Sequence, residues 1–158
     1  MTQSGLERFG AYQKSLELFD LVVDDMVLLQ KDTRCYRLIS QQVGSVDSIC
    51  ANIEEGYGRL SRREYVRFLD FARGSARETQ GRYGRMKHWL SQDVIDHRVA
   101  LCGEIIGILT STIKRLQTDT GPSAGKDPRR SVREAGVEYG EEADPLDTRH
   151  STLETKRR

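Results

Sequence analysis

The chain is predicted to be all-α: an up-down four-helix bundle over residues 1–118, followed by a disordered polar tail over 119–158. Three observations predict it. Apolar residues recur at three- and four-residue steps through four successive stretches, the spacing that lines one face of an α-helix. The breaks between those stretches are short and carry turn and cap residues, which makes consecutive helices antiparallel neighbours. Beyond Thr118 the composition changes: all three prolines lie there, large apolar side chains nearly vanish, and charges of both signs intermix. Such a segment buries too little apolar surface to offset its ordering entropy.

The first helix is expected from about Leu6 to Gln30, with Phe9, Tyr12, Leu16, Phe19, Val23, Met26 and Val27 as its apolar stripe. It is acidic, at −3 over Glu7–Asp32. The second is expected from about Thr33 to Glu55, with Tyr36, Ile39, Val43, Val46, Ile49, Cys50 and Ile53 facing inward and Gly56 and Gly58 as a stop signal supplying backbone angles closed to other residues. Ser61-Arg-Arg-Glu64 reads as a capping box that opens a third helix running to about Leu90. Gly74, Gly81 and Gly84 fall inside it, where each costs about 1 kcal/mol against alanine, so close helix packing is their expected role. Ser91 opens a fourth helix to about Leu116 with a broad apolar face.

Charge is concentrated in the third helix. From Arg59 to Lys87 nine basic residues face Glu64, Asp70 and Glu78, a net +6 in a chain whose total is +1. At about 100° per residue, Arg59, Arg62, Arg63, Arg67, Arg73, Arg77 and Arg85 share one arc of about 140°, with the aromatic and aliphatic residues opposite. One reading is a solvated face whose charges neutralise acidic neighbours such as the first helix. The other is a surface for phosphate, which arginine grips with forked donors. Arginine outnumbers lysine eight to one here, which favours the second.

Other chemistry finds no foothold in the sequence. Cys35, Cys50 and Cys102 are widely spaced, and read as reduced, small apolar residues. His88, His97 and His150 form none of the i, i+3 or i, i+4 pairs that metal-binding bundles use. No phosphate-cradling G-x-x-x-x-G-K sequence is present, and no nucleophile elbow surrounds Ser75. No enzyme activity, metal or cofactor is expected. No apolar run approaches the roughly 20 residues of a membrane span, and the N-terminus lacks an apolar signal segment, so a cytoplasmic location is expected.

Two linked motifs add a resemblance. Ser48, Ile49, Asn52, Ile53, Glu55, Gly56, Gly58 and Arg59 fit the pattern S-I-x-x-N-I-A-E-G-x-G-R. Arg67, Phe68, Leu69, Ala72, Arg73, Gly74, Ser75 and Glu78 fit the following R-F-L-x-x-A-R-G-S-x-x-E. Over about Phe9–Leu116 the chain resembles the four-helix bundle proteins encoded within intervening sequences of bacterial 23S ribosomal RNA genes. The resemblance implies a ring-like homo-oligomer, a pentamer, with no established catalytic centre. It also implies kinship with accessory proteins of diversity-generating retroelements, hence nucleic acid or a reverse transcriptase as candidate partners. This chain departs from the pattern in three places. Gln41-Gln42-Val43-Gly44-Ser45 lacks the family's basic residues, Cys50 replaces a proline, and Glu54 replaces an alanine. These changes leave the third-helix arginines as the strong candidate surface. Asn52, Glu55, Gly56, Gly58, Gly74, Ser75 and Glu78 read as structural motif residues, with Glu55 expected to pair with Arg73 or Arg59 as a clasp at the helix junction.

Overall fold

A computed structural model of the chain describes residues 5–118. The disordered tail expected from Asp119 onward lies outside the described residues. Four helices form: α1 (Gly10–Leu29), α2 (Tyr36–Gly58), α3 (Arg62–Tyr83) and α4 (Gln92–Thr118). Each packs on its sequence neighbours and α4 closes back on α1, which is the predicted up-down bundle.

The helix starts follow local chemistry. Asp32 caps a single 3-10 turn, Thr33–Cys35, that leads into α2, its carboxylate accepting from the Arg34 N–H at 3.0 Å. Ser61 caps α3 by accepting from the Glu64 N–H at 3.1 Å, and its hydroxyl donates to the Glu64 carboxylate at 3.1 Å. The serine half of the capping box is present, and the Glu64 carboxylate takes the Ser61 hydroxyl where a full capping box would take the Ser61 backbone N–H. Such a cap contributes about 1 kcal/mol. Ser91 does the same for α4, accepting from the Val94 N–H at 3.4 Å.

Three helix boundaries differ from expectation. α1 begins at Gly10, with a turn rather than a helix over 5–8. α2 runs through Gly56 and ends at Gly58, so the stop falls at the second glycine, and neither glycine adopts a positive φ. α3 ends at Tyr83, not Leu90; Met86 and Leu90 are buried from the connecting turn. Their spacing continued the helical pattern, but Gly81 and Gly84 weaken the last turn where the chain must reverse.

The largest correction concerns α1. It buries Ala11, Ser15, Leu18, Val22, Asp25, Met26 and Leu29. Of the expected stripe only Met26 is fully buried, and Leu16, Val23 and Val27 are exposed, Val27 to 53%. Two rival stripes share this helix. The one that faces the core contains Asp25 and Ser15, which made it look polar in sequence. Both are satisfied across the bundle. Ser15 Oγ takes the Cys50 thiol at 3.4 Å and donates to the Tyr12 carbonyl at 2.7 Å. Asp25 accepts from the Tyr83 hydroxyl at 2.7 Å and from Arg98 Nε at 2.9 Å. A buried carboxylate is tolerated when it is paired and hydrogen-bonded in this way. Tyr36, also expected inward, is 80% exposed at the start of α2.

Asp32 links the two chain reversals at one end of the bundle. Besides Arg34, it accepts from Trp89 Nε1 at 3.1 Å, in the turn between α3 and α4. The Arg34 guanidinium, with the Trp89 donor, holds its carboxyl well below the usual carboxylate range.

Candidate nucleic-acid interface

Position along α3 decides what each arginine does. Leu69, Ala72, Ala76, Thr79 and Tyr83 point into the core at three- and four-residue steps, so residues half a turn away must point out. Arg63, Arg67 and Arg77 occupy that outer face and are exposed. Among the described residues none of them pairs with a carboxylate. Arg85 is likewise exposed and unpaired there, but it lies in the turn after the helix, its Nη1 beside Gly81. The single-helix arc drawn from sequence therefore holds from Arg62 to Arg77, and Arg59 and Arg85 flank it from turns.

The other arginines are engaged. Arg59, at the C-cap of α2, pairs with Glu55 one turn back, and its guanidinium lies over the Phe68 ring at 4.9 Å from the centroid. Glu55 thus meets Arg59, one of the two partners expected, and the stacking on Phe68 ties that pair to α3. Arg73 pairs with Asp70 at 2.5 Å and Arg82 with Glu78 at 2.6 Å. Arg62 is half-buried at the first position of α3. Exposed pairs of this kind contribute about 0–1 kcal/mol, so Arg59 and Arg73 can exchange a carboxylate for another anion at small cost. Among the described residues, α1 makes no ion pair with this face. Among the described residues its ion pairs are Lys14 with Glu104 and Asp25 with Arg98, both toward α4.

The motif glycines differ from one another. Gly56 is buried where α2 crosses α3: a Cβ there would meet Phe68 Cβ at 2.9 Å and Tyr65 Cδ2 at 3.2 Å. It is required for close approach, not for unusual backbone angles. Gly58 and Gly74 face open space, and Gly81 and Gly84 meet only their own end of α3, so the close packing expected of Gly74, Gly81 and Gly84 does not occur. Gly74 leaves a bare patch of helix backbone between Arg67 and Arg77. Ser75 is half-buried, and its carbonyl accepts from Thr79 Oγ1 at 2.9 Å. Asn52 donates to the Ser48 carbonyl at 2.6 Å, inside α2.

Aromatic rings interleave with the arginines near the α2–α3 turn. Phe68 and Phe71 meet edge to face at 5.9 Å. The Arg67 guanidinium lies over Phe71 at 5.3 Å. Phe71 was expected on the buried side of the helix but is 45% exposed. Tyr65, beside them, has its hydroxyl pKa raised, chiefly by burial.

An open depression of about 520 Å³ next to Arg59 is lined by Ala51, Glu54, Glu55, Gly58 and Arg59. Its two carboxylates are both engaged, Glu55 with Arg59 and Glu54 with the Tyr12 hydroxyl at 2.7 Å. That hydrogen bond, more than burial, pushes the Tyr12 pKa up to about 12. Among the described residues no group of three or more His, Cys, Asp or Glu side chains is placed to hold a metal ion, and no helix is long and apolar enough to cross a membrane.

Comparison with known proteins agrees with this architecture. The model of the 23S rRNA-intervening sequence protein family matches residues 7–111. A crystal structure of a protein of unknown function from the S23 ribosomal protein family of Bacteroides thetaiotaomicron is similar in fold, with a TM-score of 0.62 at 25% identity over 66% of this chain and 98% of that one. No curated protein matches the chain. With two thirds of its length under the family model and the bundle to go with it, this chain belongs to the 23S rRNA-intervening sequence protein family.

Proposed function

We propose that the chain is a non-catalytic, self-associating helical bundle that binds RNA through the outer face of α3. The observation that carries this reading is the row Arg63, Arg67 and Arg77, exposed along one helix with no carboxylate partner among the described residues. Unpaired arginines on an open face have donors to spare, and phosphate is the ligand their forked geometry fits. Arg59, Arg73 and Arg85 border the row and extend its field. The family's tie to sequences within 23S rRNA favours RNA over DNA. Recognition would be of phosphate and shape rather than of base identity. Assembly into a ring, as the pentamer implied by the family resemblance, would repeat the basic face around one axis and raise avidity.

A second reading rests on a different observation. Leu16, Val23, Val27 and Leu28 leave an apolar flank of α1 uncovered, as an adaptor that docks a protein, such as a reverse transcriptase, would.

The deciding experiment is fluorescence anisotropy of the purified protein with a structured RNA and a matched duplex DNA at low and moderate salt. Three arginine–phosphate contacts give a slope of log affinity against log salt of about −2 to −3. Arg63→Glu, Arg67→Glu and Arg77→Glu combined should abolish binding with helicity unchanged. Absence of binding by the unaltered protein at low salt would remove the RNA reading and direct attention to the α1 flank.

A further inference from the structure

The arginine row accounts for phosphate but not for the rings set among it. Phe71 is 45% exposed in the most basic part of the molecule. Its neighbours form a short alternating series: Arg59 over Phe68 at 4.9 Å, Phe68 edge-on to Phe71 at 5.9 Å, and Arg67 over Phe71 at 5.3 Å. Leu60, at the turn that opens this end, is 80% exposed. The core does not need the Phe71 ring, since Leu69 and Ala72 on either side of it are fully buried and fill the α3 contact. A ring kept in water among cations serves a ligand that has both a flat apolar face and negative charge.

We infer that Phe71, with Arg67, is a stacking platform for an unpaired base, so that the RNA taken by this face is single-stranded or looped rather than duplex. The inference rests on the RNA reading above and narrows its substrate class. In a duplex the base faces are covered by their neighbours, and a surface ring reaches only backbone and groove edges. In an unpaired stretch each base offers a free π-face of any sequence. Arg67 and Arg63, one and two turns from Phe71 toward the start of α3, then reach successive phosphates on one side of the stacked nucleotide. A guanidinium already resting on the ring can turn to phosphate as the base replaces it, which keeps the cation within reach of both.

The test uses the full chain and two labelled RNAs, a single strand of about 12 nucleotides without self-complementarity and a blunt duplex of the same length, a size within the span of known single-strand sites. Phe71→Ala should weaken single-strand binding by about ten-fold or more and duplex binding by less than about two-fold. Phe71→Leu should lose as much as Phe71→Ala, because it keeps apolar area without a π-face, while Phe71→Tyr should retain affinity. The salt slope should stay unchanged in all three, in contrast to the arginine reversals. Circular dichroism of each variant confirms that the half-exposed position leaves the bundle folded. Equal losses on both RNAs, or full affinity in Phe71→Leu, would overturn the platform. So would a change in oligomer mass for Phe71→Ala without loss of single-strand binding, which would place the ring between copies of the chain. Arginine-dependent binding that ignores Phe71 leaves RNA binding intact and removes only this inference; no RNA binding at all removes both.

Discussion

Gly56 and Gly74 offer a paired test of how the bundle is packed, because the same substitution should act with opposite sign at two motif positions. Both lie inside helices, where alanine is favoured over glycine by about 1 kcal/mol. At Gly74 a Cβ meets nothing within 4 Å, so Gly74→Ala should stabilise the protein by about 0.5–1 kcal/mol. At Gly56 the new methyl would stand 2.9 Å from Phe68 Cβ and 3.2 Å from Tyr65 Cδ2. Phe68 Cβ is fixed to the α3 backbone and cannot swing aside, so α2 and α3 must part by about 0.5 Å before the contact becomes ordinary. Overpacking of this kind costs about 1–3 kcal/mol, which offsets or exceeds the propensity gain. The two variants should therefore differ by about 1–3 kcal/mol, with Gly56→Ala the weaker. Urea unfolding followed by far-ultraviolet circular dichroism measures both, and an unchanged m value confirms that folded-state stability is what moved. A Gly56→Ala protein as stable as Gly74→Ala would refute the close approach. Because Phe68 also carries the Arg59 guanidinium, Gly56→Ala should in addition weaken RNA binding more than Gly74→Ala does.

Three further outcomes follow from the interior. Asp25→Ala leaves the Arg98 guanidinium and the Tyr83 hydroxyl without their shared acceptor, and should cost about 3–5 kcal/mol; the double variant Asp25→Ala/Arg98→Met should lose clearly less than the sum of its singles in the same urea assay. Tyr12 has its folded pKa raised from 10.0 to about 12 by Glu54. Its contribution to stability is therefore fully present below pH 10 and drains away as pH rises toward 12; Tyr12→Phe should flatten that limb of a stability–pH curve, and an unchanged limb would show that Glu54 does not hold the hydroxyl. Cys35, Cys50 and Cys102 are all buried, with burial pushing the Cys102 thiol up to about 12. Native protein should resist a thiol reagent and label only as it unfolds, and fast labelling of any of the three without denaturant would contradict the packing.

The helix number and the serine caps were legible because each has a local cause. Ser61 and Ser91 bind backbone groups three residues away, and such pairs can be read from spacing alone. The inward face of α1 was not legible. Two stripes of comparable apolarity run along that helix, and the choice between them rests on Tyr83, Arg98 and Cys50, partners 58, 73 and 35 residues distant. A buried Asp looks like a surface residue until its partners are placed. The candidate site was half legible. Arginine spacing gave the exposed row, but the choice of pairing partners did not follow from net charge: Arg59, Arg73 and Arg82 found carboxylates within three or four residues, ahead of the acidic first helix. The exposure of Phe71 was missed because its neighbours Phe68, Leu69 and Ala72 made the whole run look inward. The signal available was that α3 carries more large rings than one inward stripe can bury.

Asp25 has a consequence for how force passes through the molecule. One carboxylate receives donors from α3 and α4 while standing on α1, so three of the four helices share a single electrostatic joint. Drawing α1 from α4 splits the Asp25–Arg98 pair, and drawing α3 away takes the Tyr83 donor from the same carboxylate, so each partial opening loses bonds at the joint while releasing only part of the chain entropy that full opening would return. Partly opened forms are thereby squeezed out, leaving the whole bundle to move or to hold as one body. A load on the outer side of α3 is therefore passed through Tyr83 to the carboxylate that joins α1 to α4.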